Sequence, residues 1–461
     1  MFYIFSISLI LLLFLPILKK WRTGVFLMFL LLITEDLIRR LIPGQPANVM
    51  LIKDAVLFLT YISFLALLMF KRKKIWQPPF VFPLFIFIAI SIVNIFNYNS
   101  PNLLFGLVGL RSYLWYIPLI FLGYHMFDDE EKLLKFCRFL VYLAIPLVIF
   151  AAIQYAFYSD NISFLKPFES SWSFHNFGDL EIPLLSSFFG TGQRYGRFSL
   201  FIYFLGLGLL SFPAPVRKKI LVSVATFCAV LGIFFSGSRT AFAFAVIGSG
   251  IYLFVKYFNE RIFEFLKNHK RFIVVGCIFL AVSSGILYIL MEEKSTFIVS
   301  GFYYGVIERI PWVFEEFSRA FSEAKIFGNG TGTLSQGLDY ISGGTEWLRY
   351  QSRDLRQGFL FETGVGKILF ELGLVGLFSF YLFFGCLFYN MFMAIRLFNN
   401  QFFKDLGWVI IIYLASIITW FSFFHNQVLG DATTLIIVWF FIGIFFKFRS
   451  FDYDKVKLKA L

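Results

Sequence analysis

Runs of about 20 predominantly apolar residues recur along most of the chain, and a run of this length crosses the ~30 Å hydrocarbon core of a bilayer as one α-helix. Hydrophobic residues make up 59% of the 461 residues and charged residues only 15%, whereas soluble chains carry about 25% charged residues. This composition excludes a water-soluble globule, a disordered chain, a collagen-like chain and a disulfide scaffold. The sequence therefore predicts an all-α polytopic membrane protein.

The hydropathy pattern predicts about 12 or 13 transmembrane helices. The first run lacks a basic segment before it and a small-residue cleavage site after it, so we expect a retained span. The spans divide the chain into an N-terminal bundle, 1–291, which contains an outer loop at 159–196, a large outer loop, 292–365, and C-terminal helices with a basic tail, 366–461. The predicted spans are 2–18, 24–41, 53–70, 79–97, 109–126, 139–158, 197–212, 220–236, 240–257, 272–291, 366–388, 406–424 and 432–447.

The net charge of +13 resembles that of a nucleic-acid-binding protein, but basic residues of a membrane protein report topology first. If the predicted spans alternate, all the Lys-rich links fall on one side, which the positive-inside rule makes cytoplasmic. We therefore expect no nucleic-acid partner. With 13 spans the N-terminus lies outside, and if the first run does not cross it lies inside. The Lys-rich links are 19–22, 71–74, 217–219, 256–271, 396–404 and 447–459.

The cysteines and the short motifs indicate neither a metal nor a cofactor. All four cysteines lie in predicted spans or at their cytoplasmic ends, so the outer loops form no disulfide. No HExxH, DxD or Walker-type pattern occurs, and no inverted repeat of the kind found in secondary transporters is visible. We expect a metal-independent protein without a nucleotide cofactor.

The basic residues on the predicted outer side are fewer than those inside and are nearly all arginine. The planar guanidinium matches two phosphate oxygens at once, so arginine suits bidentate phosphate recognition. The alternative is that these side chains pair with loop carboxylates or lipid headgroups. The outer arginines are Arg111, Arg194, Arg197, Arg239, Arg309, Arg349, Arg353 and Arg356.

Four of these arginines stand at predicted helix mouths. Arg239 follows a Ser-Gly-Ser turn and precedes an apolar run, where an ionisable residue is a functional candidate; the alternative is snorkelling to outer headgroups. Arg194 and Arg197 lie in a Gly-Gln-Arg-Tyr-Gly-Arg stretch, whose glycines allow close backbone approach to a ligand. Arg111 opens a further helix. The four side chains converge if these helices surround one cavity.

Acidic residues and one histidine complete the set of candidates. Glu362 lies where the large outer loop re-enters the membrane, and partial burial there would suit it to general-base work or to a structural role. Glu371 has Lys367 at i−4, which predicts an intrahelical ion pair. The 35–40 segment predicts ion pairs of the i,i+4 type at the end of its helix. His425, in the last outer turn, is either a helix cap or a substrate-binding residue.

Several short motifs, taken in order from Glu35 to about Gly376, resemble the O-antigen ligase/polymerase superfamily of multispanning bacterial glycan polymerases and ligases. The large outer loop between the tenth and eleventh predicted spans adds to the resemblance. The motifs are Glu35-Asp-Leu-Ile-Arg-Arg with Lys53-Asp54, Gly109-Leu-Arg-Ser with Pro118-Leu-Ile-Phe, Gln154-Tyr, the Arg194–Ser199 stretch, Ser236-Gly-Ser-Arg-Thr, Gly328-Asn-Gly-Thr-Gly-Thr, and Glu362 ahead of Glu371-Leu-Gly-Leu-Val-Gly-Leu.

The resemblance implies that a polyprenyl-diphosphate-linked glycan is transferred, with inversion, to a glycan or lipid acceptor on the periplasmic face of the bacterial inner membrane. A chain-length regulator is a further implied partner. Ligases of this superfamily carry a catalytic His where the large loop re-enters; Glu362 stands there instead, which favours a polymerase or a related exopolysaccharide enzyme. The implied catalytic residues are Glu362 and Arg239, and the implied substrate-binding residues are Arg111, Arg194, Arg197, Arg309, Arg353, Arg356 and His425.

Two other functions stay open. A flippase for a lipid-linked glycan would carry charges along a path through the whole membrane, whereas the middle of the predicted spans is nearly free of charge. A catalytically inactive component of a polysaccharide-assembly complex is compatible with the same sequence.

Overall fold

A computed structural model of the chain confirms an all-α polytopic membrane protein. Within the described part of the chain, seven helical segments are long and apolar enough to cross a membrane, judged by length and composition, and one of them, Glu130–Ala156, comprises two consecutive helices. The structure describes residues 15–42, 49–72, 75–158, 162, 165–166, 174–177, 180–257, 309–324, 326–335, 338 and 361–460.

The described helices follow one another in the order given below, and one β-hairpin lies in the 159–196 loop. In the hairpin, Phe174–Phe177 (β1) pairs antiparallel with Leu180–Pro183 (β2), so that Phe177 faces Leu180. The helices are α1 Trp21–Leu41, α2 Met50–Phe70, α3 Val81–Val93, α4 Leu103–Tyr113, α5 Leu119–His125, α6 Glu130–Tyr142, α7 Ala144–Ala156, α8 Gly192–Leu210, α9 Val216–Phe235, α10 Arg239–Tyr257, α11 Arg309–Ala324, α12 Gly364–Arg396, α13 Gln401–Phe423 and α14 Ala432–Ala460.

The predicted span 109–126 is not one helix. A turn separates α4 from α5, and Pro118 is the N-cap of α5. Proline has no amide hydrogen to donate to the preceding turn, and it also disfavours helical geometry in the residue before it. The predicted span 272–291 and residues 2–14 of the first predicted span lie outside the described residues.

The centre of the bundle is formed by α13 and α14, most of whose apolar side chains are buried, whereas α10 leaves many side chains exposed at the periphery. Helix α5 packs tightly on α14, because Gly123 and Gly443 let the two backbones approach. A Cβ atom on Gly443 would lie only 2.8 Å from the Tyr124 amide nitrogen. Small residues commonly permit such close helix contacts in membrane proteins.

Ionic contacts identify two ends of the bundle. Arg22, at the start of α1, pairs with Asp128 ahead of α6 at 2.6 Å. Lys256, at the end of α10, pairs with Asp405 near the start of α13 at 3.2 Å. We call this end, which includes these two cations and Lys447, the lysine-rich end. The opposite end of α1 carries the buried Arg39 and Arg40, the start of α8 carries the buried Arg197, and we call this end of the bundle the arginine end.

Candidate functional site

Ten ionisable side chains gather at the arginine end. They come from the end of α1, the start of α2, the end of α4, the start of α8 and the residue before α14, so the bundle collects them from distant parts of the sequence. Eight of the ten residues are buried, and Arg111 and Arg194 are partly buried. This charge cluster consists of Glu35, Asp36, Arg39, Arg40, Lys53, Asp54, Arg111, Arg194, Arg197 and Asp431.

The centre of the charge cluster is a chain of alternating charges. Arg194 lies between two carboxylates, with Nη1 3.2 Å from Asp36 and Nε 3.1 Å from Asp431. Asp431 also accepts from Arg197 Nη2 at 3.2 Å. The side chains of Arg197 and Asp431 are only 4% and 3% exposed, so each depends on the other for its compensation.

Two further pairs flank this chain. The Lys53 ammonium lies 2.7 Å from the Glu35 carboxylate, and both side chains are buried. Asp54 accepts from Arg111 Nε at 2.8 Å and from the Tyr116 hydroxyl at 2.8 Å. The Arg111 side chain is 39% exposed, and its Nη1 atom has no hydrogen-bond partner among the described residues. Arg111 therefore retains a donor that no described residue occupies.

Arg40 organises the loop that leads into α8. Its guanidinium donates to the Ser187 carbonyl at 2.8 Å, to the Ser186 hydroxyl at 2.9 Å, and to the Phe189 carbonyl. Asp36 accepts from the Gly190 amide at 2.6 Å. These contacts fix the loop directly before Arg194, and so they position the first turn of α8.

The charge cluster carries an excess of positive charge. Six cationic side chains face four carboxylates among the described residues, so the cluster has two more positive than negative charges. Arg197 additionally holds Nε and Nη1 buried without a hydrogen-bond partner in the described part of the chain. Because unpaired buried donors and uncompensated charge are costly, the arrangement favours an anion as the missing partner.

Burial and charge compensation act on Asp431 in opposite directions. Burial alone would raise the pKa of this carboxyl, but the neighbouring Arg194 and Arg197 outweigh burial, and the pKa lies below its ordinary value. Asp431 is therefore ionised at neutral pH and holds both guanidinium groups in place.

The turn that ends at Asp431 connects the charge cluster to Glu362. His425 caps this turn, with Nδ1 accepting from the Gln427 amide at 3.4 Å. The next residue, Asn426, donates its backbone N–H to the Glu362 carbonyl at 2.5 Å and its side-chain amide to the Phe361 carbonyl. Glu362, the candidate base, and His425, the candidate substrate-binding residue, thus lie at one junction.

Glu316 of α11 fixes the other side of this junction. Its carboxylate accepts from the backbone N–H of Glu362 at 2.7 Å and from the N–H and hydroxyl of Thr363 at 3.1 and 2.6 Å. A carboxylate at a helix N-terminus satisfies free amides and complements the helix dipole. The large outer loop is in this way attached to the start of α12.

A second attachment lies deeper along α12, at a break in the helix. Gly373 adopts φ 70° and ψ −171°, and the freed Phe370 and Glu371 carbonyls accept from the Asn329 and Gly330 amides at 2.8 and 3.0 Å. The turn formed by the Gly-Asn-Gly-Thr-Gly-Thr motif, with Gly328, Gly330 and Gly332 at positive φ, therefore pairs with a broken helix. Such an arrangement is tolerated near a membrane only where protein buries it.

The Glu371 side chain completes this attachment, and the predicted pair with Lys367 is wrong. The carboxylate accepts from the Tyr113 hydroxyl at 2.7 Å and from the Gly332 and Leu334 amides at 3.2 and 2.8 Å. The Lys367 ammonium instead lies 5.8 Å from the Tyr113 ring centre. The i,i+4 spacing predicts the pair, but donors from two distant segments occupy the carboxylate instead.

Replacing Glu371 with glutamine is expected to lower the free energy of unfolding by about 1–3 kcal/mol. The amide has one acceptor oxygen for three donors, and its NH₂ group would face a donor. Thermal unfolding in detergent measures the effect. Glu131→Gln is the control, because its carboxylate pairs with Lys135 on the exposed surface. Equal melting temperatures for the two variants would contradict the role of Glu371.

The charged side chains of the 35–40 segment also make contacts beyond the predicted i,i+4 pairs. Glu35 pairs with Lys53, and Arg40 with the 186–189 loop. Asp36 contacts Arg39 at i,i+3 and 3.6 Å. Because α1 is surrounded by other helices at this end, its charged side chains find partners across helix interfaces as well as along the helix.

Of the predicted site residues, Arg111, Arg194 and Arg197 come together in the charge cluster. Arg239 is the first residue of α10, and the Ser-Gly-Ser turn before it packs closely on Gly192 and Gly196 of α8. This contact places the start of α10 beside the helix that carries Arg194 and Arg197.

The other predicted arginines belong to the large outer loop. Arg309 begins α11, while Arg349, Arg353 and Arg356 lie outside the described residues. The structure also identifies cluster members that sequence reasoning did not propose as a site, because their partners are up to hundreds of residues away. These are Glu35, Asp36, Arg39, Arg40, Lys53, Asp54 and Asp431.

A surface groove of about 690 Å³ lies at the lysine-rich end, far from the charge cluster. For the candidate site, buried charge is the more informative property, because charged groups removed from water require partners whereas empty volume does not. No protein-family model and no curated protein matches the chain.

Proposed function

We propose that the chain is a glycosyltransferase of the bacterial inner membrane that polymerises or ligates lipid-diphosphate-linked oligosaccharide units on the periplasmic face. The observation that supports this most is the net positive charge cluster, with the buried, unpartnered donors of Arg197 and the donor of Arg111 that no described residue occupies. A diphosphate carries the complementary negative charge and offers the oxygen pairs that guanidinium groups bind.

In the proposed reaction, an acceptor hydroxyl oxygen attacks the anomeric carbon of the donor glycan. A new glycosidic bond forms, and the bond between that carbon and the diphosphate oxygen breaks, with inversion. The acceptor proton passes to Glu362 or to His425. Arginines stabilise the negative charge that develops on the leaving diphosphate, and Arg239, at the adjacent helix start, is proposed to act with them.

The large outer loop is proposed to complete the site. Glu316 attaches α11 directly at Glu362, so residues of this loop are candidates to contact the glycan chain. Arg309, Arg353 and Arg356 remain proposed donor-binding residues. The acceptor is a glycan or a lipid, and a chain-length regulator is a proposed partner. Metal and nucleotide are not needed by this scheme.

The alternative is a flippase for the same lipid-linked glycan, and charge placement favours the enzyme. Transport across the membrane requires polar groups along the whole path. In the described residues, ionisable groups concentrate at the two ends, while the middle of α13 and α14 packs apolar and aromatic side chains. Measuring polymer formation by site variants distinguishes an enzyme from a catalytically inactive assembly component.

Replacing Arg111 with lysine is expected to reduce polymer formation by about 10²-fold, because lysine keeps the charge but loses the fork that contacts a diphosphate and Asp54 together. The assay is the polysaccharide length profile in a deletion strain, with quantification of the accumulated lipid-diphosphate donor. Arg396→Lys is the control, since Arg396 is exposed at the lysine-rich end.

Arg194→Lys and Glu362→Gln extend this test. If these two variants and Arg111→Lys all reach wild-type levels in the membrane and still produce polymer of full length and amount, the enzyme assignment fails. A flippase predicts that the donor accumulates on the cytoplasmic face, whereas a polymerase or ligase predicts accumulation on the periplasmic face.

A further inference from the structure

The groove at the lysine-rich end is a built site of its own. Its volume of about 690 Å³ lies within the range of roughly 300–1,000 Å³ that is common for small-molecule sites. It opens between the segment after α2, the end of α5, the last turns of α12 and the later part of α14. We call it the Trp76 groove, after the residue that forms one wall.

Aromatic rings form one side of the Trp76 groove. The Trp76 ring stacks on Tyr124 with centroids 4.3 Å apart and planes 4° apart, and Phe446 lies 5.5 Å from Trp76. Trp and Tyr at helix ends are typical of the boundary between hydrocarbon and headgroups. The aromatic wall therefore indicates that the groove lies at headgroup depth.

Cationic groups form the rim. The exposed Arg449 lines the groove and makes no hydrogen bond or ion pair with the described residues. The Lys447 ammonium lies 5.3 Å from the Tyr124 ring centre. The only acidic lining residue in the described chain is Asp452. Its carboxylate oxygens accept from the backbone N–H groups of Asn399 and Asn400 at 2.6 and 3.0 Å. The lining Arg449 thus carries a positive charge that has no ion-pair partner among the described residues, and Lys447 lies beside the aromatic wall.

The opposite wall is apolar and faces outward. Met393 and Leu397, on the last turn and C-cap of α12, both line the groove and leave about half of their surface exposed. The site is therefore amphipathic, with aromatic and cationic groups on one side and aliphatic groups open to the bilayer on the other. A phospholipid has the same division between an anionic headgroup and acyl chains.

We propose that the Trp76 groove binds one anionic phospholipid, with its phosphate against Arg449 and Lys447 and its acyl chains along Met393 and Leu397. Basic pockets at the cytoplasmic boundary of helices suit anionic headgroups. This inference does not depend on the proposed glycosyltransferase activity, because the groove and the charge cluster lie at opposite ends of the bundle.

Native mass spectrometry of the full chain, delipidated in detergent and titrated with phosphatidylglycerol or phosphatidylcholine, tests the proposal. Phosphatidylglycerol is expected to bind more tightly, and Arg449→Ala to weaken that binding by about fivefold while Arg449→Lys retains most of it. Arg396→Ala, an exposed arginine outside the groove lining, is expected to bind like the wild type. Excess inorganic phosphate is expected not to displace the lipid.

Equal binding of the two lipids would overturn the proposal, as would equal weakening by Arg396→Ala. Displacement by inorganic phosphate would also overturn it, because the site would then recognise free phosphate rather than a lipid. None of these results depends on polymer formation.

Discussion

Replacing Asp431 with alanine is expected to destabilise the protein by about 3–5 kcal/mol, the cost of leaving a buried ion without its partner. The carboxylate contacts Arg194 at 3.1 Å and Arg197 at 3.2 Å, and the Arg197 side chain is almost fully buried. Without Asp431, Arg197 retains no ion-pair partner among the described residues. Thermal unfolding in detergent, followed by size-exclusion chromatography of the heated sample, measures the loss.

Asp128→Ala is the matched control, because it removes an aspartate that also pairs with an arginine. Arg22 and Asp128 lie 2.6 Å apart, but their side chains are 39% and 65% exposed. Exposed ion pairs contribute about 0–1 kcal/mol. If Asp431→Ala loses no more stability than Asp128→Ala, Asp431 does not hold the cluster together.

Because the pKa of Asp431 is lowered, the stability that this ion pair contributes depends on pH. A carboxyl whose pKa is lower in the folded state contributes stability at neutral pH, above its unfolded value, and loses it as the pH falls through the folded value. The difference in melting temperature between wild type and Asp431→Ala should therefore narrow in acid.

Replacing Gly373 with alanine is expected to abolish accumulation of folded protein. The φ of 70° with ψ of −171° lies in a region that is essentially restricted to glycine. A Cβ atom would also come within 2.6 Å of the Gly328 amide nitrogen and closer still to the Ile326 carbonyl oxygen. Because both obstacles are backbone, no side-chain rotation relieves them, and the attachment of the 326–335 segment to α12 is lost.

Gly385→Ala, on the same helix, is the control. A Cβ atom there meets no atom within 4 Å, and alanine favours a helix interior by roughly 0.5–1 kcal/mol over glycine. Fluorescence-detected size-exclusion chromatography of both variants should give a monodisperse peak only for Gly385→Ala. Normal yield and melting temperature for Gly373→Ala would show that α12 runs unbroken at this point.

Much of the helical framework is predictable from the sequence, because a span of about 20 apolar residues leaves few alternatives in a bilayer. The helix boundary at Pro118 can also be predicted from the sequence, because proline interrupts a helix at its own position. The convergence of Arg194 and Arg197 follows from their place at the start of α8, whereas Arg111, which was predicted to open a helix, lies in the last turn of α4. Their actual contacts confirm that these helix ends meet.

The partners within the cluster could not be predicted. Arg197 and Asp431 are 234 positions apart, and Tyr113 and Glu371 are 258 apart. Local spacing rules compare residues three or four positions apart, so they assigned Glu371 to Lys367. The packing of whole helices decides which donor reaches a buried carboxylate. That packing cannot be predicted from residue spacing in a single sequence.

The separation of Arg197 from Asp431 has a consequence for how the protein is made. Ribosomes complete α8 long before they reach the residue that neutralises its buried guanidinium, because 234 positions separate the two. During that interval the guanidinium of α8 lacks this carboxylate partner. Arg197 is therefore expected to gain its ion-pair partner only when the residue directly ahead of α14 is synthesised, late in the assembly of the bundle.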